Sequence, residues 1–264
     1  MNLGLQSKIA VVSGSTAGIG LAIATALAAE GARVIINGRT EARVAEALEK
    51  IRQRVPAADA RGVAADLGTA DGVDTFLKKA PEADVLVNNL GIFDPKPFME
   101  IPDAEWLRFF EVNVLSGVRL TRKYLPGMLK KDWGRVIFIS SESSQMIPTE
   151  MVHYGMTKTA QVAIARGLSQ SVAATGVTVN SVLAGPTKSE GVGAFLDSLA
   201  KQNNVSKADM EKMFFEKGRP TSLLKRFETP DEVAAVVAFV ASTQALVING
   251  AAVRAEGGVI SSIF

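Results

Sequence analysis

Seven short β-branched runs punctuate this chain, and longer alanine-rich amphipathic stretches fill the intervals. The runs are Val11–Val12 within KIAVVSG, RVIIN at 33–37, RGVAAD at 61–66, DVLVNN at 84–89, RVIFIS at 135–140, VTVNSV at 177–182 and AAVRA at 251–255. Their apolar character is nearly continuous rather than alternating, which is the pattern of strands buried on both faces. The intervals read as helices. LAIATALAAEG places Gly31 as a C-terminal cap, and TPDEVAAVVAFV opens with Thr229, Pro230 and Glu232, a capping box with proline in the first turn. Alternation of this kind predicts a parallel, doubly wound α/β sheet with helices on both faces. No repeat, low-complexity tract or linker divides the 264 residues, so one domain, 1–264, is expected.

One stretch breaks the rhythm. From Gly185 to about Glu228 the sequence is polar and weakly periodic, with FLDSLA and DMEKMFFEK as candidate short helices. An insertion this long between a strand and the last helix is usually functional. A lid near 185–228 is expected, with a disordered surface excursion as the alternative.

Composition removes several chemistries. There are no cysteines and one histidine, which excludes disulfides and thiolate chemistry and argues against a metal site. A formal net charge of +2 gives no reason to expect nucleic acid or an anionic membrane as partner. The start of the chain lacks the pattern of a signal peptide. The apolar stretch AAVVAFVASTQALVI is interrupted at Ser242–Gln244 and is too short to span a bilayer. A cytoplasmic location is the expectation.

The first strand runs into SGSTAGIG, with Gly14, Gly18 and Gly20. Glycines at such a turn let backbone N–H groups approach a pyrophosphate at a helix N-terminus, so a Rossmann-type dinucleotide site is expected here. The second strand ends in INGRT, without the acidic residue that holds a ribose 2′-hydroxyl in NAD sites. Arg39 at that point offers a guanidinium fork to a 2′-phosphate, which favours NADP(H) over NAD(H).

HYGMTK at 153–158 holds the single histidine, one of two tyrosines, and a lysine four residues after that tyrosine. On a helix, Tyr154 and Lys158 share a face. A phenol has a pKa of about 10, and a nearby ammonium would favour the phenolate and make Tyr154 a usable acid/base for a carbonyl or alcohol oxygen. Ser141, thirteen residues upstream at the end of a strand, offers a hydroxyl to the same oxygen. His153 is expected at the helix start or pocket wall rather than as the base.

Taken together, SGSTAGIG, Asp66–Leu67, NNLG at 88–91, Asn113 in FFEVNV, RVIFISS, YGMTK, NSVLAGPT at 180–187 and the closing RFETPDEVA…VINGAAVRAEGG resemble the short-chain dehydrogenase/reductase family along nearly the whole chain. Within it, members close to 3-oxoacyl-carrier-protein reductases are abundant, and the chain is similar to them. The resemblance implies a tetrad of Asn113, Ser141, Tyr154 and Lys158. The tyrosine would be the acid/base, the serine would orient the oxygen, the lysine would hold the nicotinamide ribose, and the asparagine would support a relay water. It further implies cofactor contacts at Gly14, Ser15, Gly18, Ile19, Gly20, Arg39, Asp66, Leu67, Asn88, Gly91, Tyr154, Lys158, Gly185 and Thr187. A homotetramer is implied, with helices near 103–131 and 153–174 at one interface and the C-terminal strand at another. The tail GGVISSIF fits burial against a partner chain or against its own core. Leu90 replaces the alanine usual in NNAG, and either crowds the cofactor pocket or repacks beside it.

The expected activity is hydride transfer between NADP(H) and a small carbonyl or alcohol substrate. Within that class a 3-oxoacyl-carrier-protein reductase or an NAD-dependent sugar or polyol dehydrogenase is also consistent. From another class, the fold would serve a cofactor-binding sensor or scaffold with little catalysis. Glu142, Ser143, Gln145, Met146, Glu150, His153 and the lid are the candidate substrate-pocket residues, and they do not single out a substrate.

Overall fold

The computed structural model describes residues 2–263, apart from the side chains at 194, 195, 199 and 202. Seven strands form one all-parallel sheet: β1 (Ile9–Val12), β2 (Arg33–Gly38), β3 (Ala60–Ala64), β4 (Val85–Asn88), β5 (Gly134–Ser141), β6 (Val177–Ala184) and β7 (Ala252–Ala255). Their order is β3-β2-β1-β4-β5-β6-β7, so the winding reverses between β1 and β4. This is the doubly wound Rossmann-type sheet that the sequence pattern predicts.

Strand alternation separates two cores. Val12, Ile36, Val87, Ile137 and Ile139 face one layer, whereas Val11, Ile35, Leu86, Val136 and Phe138 face the other. Each such buried aliphatic or aromatic side chain contributes roughly 1.5–3 kcal/mol, which is why the strands carry no polar face. Helices α1 (Gly18–Ala29) and α2 (Glu41–Arg54) cover the first layer, and α3 (Ala70–Lys79) covers the second. Gly31 ends α1 at φ +80°, where its N–H donates to Ala28 O at 3.0 Å and Ala32 N–H donates to Leu27 O at 3.0 Å. Those two bonds are a Schellman closure, and they require the left-handed backbone that glycine allows.

Helix α4 (Asp103–Phe110) passes through a π-helical turn at Glu111–Leu115 into α5 (Ser116–Lys130) without a break. The chain continues through β5 to α6 (Val152–Ser171). The 185–228 insertion is folded, with α7 (Glu190–Gln202), α8 (Lys207–Met213) and a second π-helical turn at Phe214–Gly218. Leu196, Ala200, Met210, Phe215 and Phe227 give it a small core of its own. A bridge between Thr187 and Glu228 closes its base. The last helix, α9 (Pro230–Ala241), begins with the predicted capping box: Glu232 N–H donates to Thr229 Oγ1 at 3.2 Å, and Thr229 N–H donates to Glu232 Oε2 at 2.8 Å.

In the tail, Val259 and Ile260 are buried within the chain and Ile263 is exposed, while Phe264 lies outside the described residues. Among the described residues no helix is long and apolar enough to cross a membrane.

Candidate active site

At the carboxyl ends of the central strands a cavity of about 470 Å³ opens, roofed by the lid. It lies where open parallel sheets place their ligands, beside the reversal of winding. Ile19, Asn89 and Gly91 line one end. Ser141, Tyr154 and Lys158 stand in its wall, and Gly185, Thr187, Val192 and Phe214 come from the lid side.

The glycine turn is shaped for an anion. α1 has no side-chain cap and no acidic residue in its first turn, so its leading N–H groups stay open. Gly14 and Gly18 adopt φ +58° and +55°. At Gly20 an added Cβ would fall 2.6 Å from Gly14 O, so turn and helix start approach too closely for a side chain. Arg39 lies exposed just beyond β2 and forms no ion pair with any described residue, whereas Arg43 pairs with Glu190 of the lid at 3.0 Å. These residues fit a dinucleotide.

Several of the predicted contacts are turned elsewhere. Ser15 is fully buried: its hydroxyl donates to Val12 O at 2.6 Å and accepts from Asn37 N–H at 2.9 Å, so it ties β1 to β2. Leu67 is a side chain of the second core. Asp66 is exposed and accepts from Gly68 N–H at 3.0 Å. Asn88 points away from the cavity and donates to Thr121 Oγ1 at 3.1 Å. Its neighbour Asn89 faces the cavity instead, and its amide donates to Ser13 O and Gly14 O at 3.0 and 2.9 Å. Period-two alternation along DVLVNN held that signal, because neighbouring strand residues face opposite sides. Leu90 packs against the second core rather than crowding the cavity.

Ser141, Tyr154 and Lys158 come together because β5 ends where α6 begins to pack across it. Ser140 Oγ donates to Lys158 O at 2.9 Å and pins the helix there. Lys158 Nζ donates to Ile139 O at 2.9 Å and lies 5.6 Å from the Tyr154 ring centre. Burial lowers Lys158 to about 8, with Glu142 partly restoring it. Tyr154 departs from the expectation of a lowered phenol. Burial pushes it well above its ordinary value and Glu142 adds to that, while the Ser141 hydrogen bond and Arg219 pull it back only in part. Desolvation of the phenolate thus outweighs the Ser141 hydrogen bond and the Arg219 charge, and Tyr154 holds its proton at neutral pH.

Asn113 sits behind this group in the first π-helical turn. Its Nδ2 donates to Ile92 O and Thr157 Oγ1, both at 3.0 Å, and its Oδ1 accepts from Ile92 N–H at 2.8 Å. It braces the loop after β4 against α6 rather than lining the cavity. His153 is buried against Trp106 and Phe109 with neither ring nitrogen hydrogen-bonded, and burial lowers its pKa. It stands in the first turn of α6 and does not line the cavity, so it is a helix-start residue rather than a wall residue. Of the substrate-pocket candidates, Glu142, Ser143 and Glu150 line the cavity, whereas Gln145, Met146 and His153 do not.

The family model for short chain dehydrogenase matches residues 8–198. The chain belongs to the short-chain dehydrogenase family. It is an NAD(P)-dependent oxidoreductase of that family. An uncharacterized oxidoreductase of Bacillus subtilis (strain 168), YvaG, is 49% identical over 100% of both chains. A D-beta-hydroxybutyrate dehydrogenase of Cupriavidus necator is 32% identical over 96% of this chain and 98% of its own. Among solved structures, L-sorbose reductase from Gluconobacter frateurii, complexed with NADPH and L-sorbose, superposes with a TM-score of 0.93 at 29% identity over 100% of both chains.

In this short-chain dehydrogenase, Arg219 and Phe93 are among the cavity residues that the sequence did not single out. Arg219 follows the second π-helical turn and reaches back to Glu142, its Nε donating to Glu142 Oε1 at 3.0 Å. Phe93 stacks edge-on against Tyr154 at 6.4 Å. No local pattern marks either one, since both arrive from loops.

Proposed function

We propose that this short-chain dehydrogenase is an NADP(H)-dependent carbonyl reductase and alcohol dehydrogenase, with Tyr154 as acid/base and Ser141 orienting the reacting oxygen. The observation that carries the reading is the meeting of three groups in one cavity wall: a phenol that keeps its proton, a serine hydroxyl and the Lys158 ammonium. The guanidinium of Arg39, without an ion-pair partner among the described residues, and the NADPH in the L-sorbose reductase complex favour NADP(H).

When bound, the nicotinamide supplies the hydride to the carbonyl carbon, or takes it back in oxidation. In reduction, Tyr154 Oη–H gives its proton to the carbonyl oxygen, leaving the alcohol and a phenolate. Ser141 Oγ holds that oxygen by a hydrogen bond, turning its single O–H from the Glu142 carboxylate to the substrate. Lys158 stabilises the phenolate by charge until solvent returns the proton. Asn113 keeps Thr157 and the loop at Ile92 in place behind the reacting groups.

The test is NADPH and NADH oxidation over a panel of small ketones, ketoses and acetoacetyl thioesters, with Tyr154→Phe as control. Turnover is expected to fall roughly 10²–10⁴-fold in the variant, the usual weight of one acid/base group, while NADPH affinity stays unchanged. Near-normal turnover by Tyr154→Phe would remove the tyrosine from its role.

A further inference from the structure

The substrate end of the cavity carries a charged cluster that the reaction as described does not use. Glu142 directly follows Ser141 and is 4% exposed. One carboxylate oxygen accepts from the Ser141 hydroxyl, and the other accepts from Arg219 Nε at 3.0 Å. Arg219 Nη1 donates to Gly218 O at 2.7 Å and to Glu150 Oε1 at 3.4 Å. The remaining terminal nitrogen, Nη2, makes no hydrogen bond among the described residues. All three residues line the cavity, and the Arg219 side chain is only 11% exposed. The surfaces beside them are apolar, from Phe93, Met151 and Phe214.

An arginine held nine-tenths out of water beside the reacting serine is costly to desolvate unless its charge is matched. Glu142 supplies that match, so the cluster is not an unpaired cation waiting for an anion. With Glu150 added, two carboxylates face one guanidinium. Glu142 is buried while the Glu150 side chain is 49% exposed, and a substrate carboxylate entering here would meet both of them around a guanidinium that is already paired, which is unfavourable. A neutral hydroxyl is suited to it, because it accepts from Nη2 and donates to a carboxylate. The cluster also abuts Ser141, which places such a hydroxyl close to the oxygen that Ser141 orients.

We propose that Arg219, Glu142 and Glu150 form a subsite that reads a hydroxyl group next to the reacting carbonyl, so that the substrate is a neutral hydroxyketone rather than a keto acid or a plain acyl chain. This rests on the carbonyl–alcohol reading of the same cavity. The two separate when binding is measured apart from turnover.

The experiment uses Tyr154→Phe saturated with NADPH, which cannot complete the reaction, and compares equilibrium binding of hydroxyacetone, acetone and acetoacetate. Hydroxyacetone is expected to bind roughly tenfold or more tightly than acetone, the weight of one added hydrogen bond to a charged partner, and acetoacetate no more tightly than acetone. Adding Arg219→Met with Glu142→Gln, which removes both charges together and leaves no buried ion unpaired, is expected to erase the preference while NADPH binding persists. Equal binding of hydroxyacetone and acetone, a preference for acetoacetate, or a preference that survives the double substitution would each overturn the subsite. The ranking of the three ligands stands as a test even if the double variant does not fold. Wild-type turnover is read separately. Silence on all three carbonyls with the ranking intact would count against the catalytic reading and not against the subsite.

Discussion

Gln161 Nε2 donates to the main-chain oxygen of Asn113 at 2.6 Å, while its Oε1 accepts from Lys158 Nζ at 3.4 Å. The glutamine is 1% exposed and stands three residues after the lysine on α6, so both side chains lie on one face. Asn113 lies within the π-helical turn Glu111–Leu115, and its carbonyl is met there by a side chain of another helix. One amide therefore links Asn113 to Lys158 and leaves Lys158 with a second, adjustable partner besides Ile139 O.

Replacing that link tests whether it positions the lysine. Gln161→Leu keeps similar bulk and removes both bonds. It is expected to lower kcat roughly tenfold, to weaken NADPH binding a fewfold, and to displace the alkaline limb of the kcat/KM profile, because Lys158 loses a polar neighbour. A loss of thermal stability with kcat and the pH profile unchanged would assign Gln161 a purely structural role.

The Lys158 value of about 8 sets a pH window of its own. Its charged form is disfavoured by burial, so the ammonium is present below about 8 and disappears above it. Cofactor affinity of the free enzyme is expected to weaken as pH rises through 8, followed by NADPH fluorescence. Since Glu142 raises the lysine, Glu142→Gln is expected to move the midpoint to lower pH. A midpoint that moves upward, or stays fixed, would detach Lys158 from the effect.

At the foot of the lid, Glu228 is buried and pushed up to about 7, chiefly by desolvation, with the Gly185 N–H only partly offsetting this. Because the folded value lies above the unfolded one, the folded chain binds the extra proton, and the stability this gives is complete below about pH 4.5 and lost by about pH 7. The span corresponds to roughly 3 kcal/mol. Glu228→Gln stays neutral throughout, so its melting temperature is expected to match wild type near pH 4.5 and to exceed it at pH 7.5. A variant with no relative gain at the higher pH would show that Glu228 is solvated as a carboxylate in the native lid.

These residues mark where the sequence was readable. The seven strands, the Gly31 closure and the Thr229 capping box follow from local patterns and reappear with shifts of one or two residues at their ends. The meeting of Ser141 with Tyr154 and Lys158 was legible because strand end and helix start are neighbours in sequence. What escaped depends on facing or distance. Asn88 and Asn89 differ only in which side of β4 they occupy, and Ser15 is turned inward by Val12 and Asn37. Arg219 meets Glu142 across 77 residues, a contact that no local period encodes. The lid read as weakly periodic because its apolar positions converge on one small cluster from α7, α8 and Phe227 rather than on the main core.

Cofactor choice turns on Arg39. It stands exposed at the end of β2, without an ion-pair partner among the described residues, where an acidic side chain would serve a ribose 2′-hydroxyl. A guanidinium bound to a 2′-phosphate is a charge-assisted, bidentate contact worth about 1.5–3 kcal/mol. Arg39→Ala is therefore expected to raise the KM for NADPH by roughly 10- to 100-fold and to leave the KM for NADH within about twofold. The effect should shrink at high salt, which screens an exposed pair. Equal losses with both cofactors would mean that Arg39 supports the strand end rather than the phosphate, and the weight for NADP(H) would then pass to other residues of the turn.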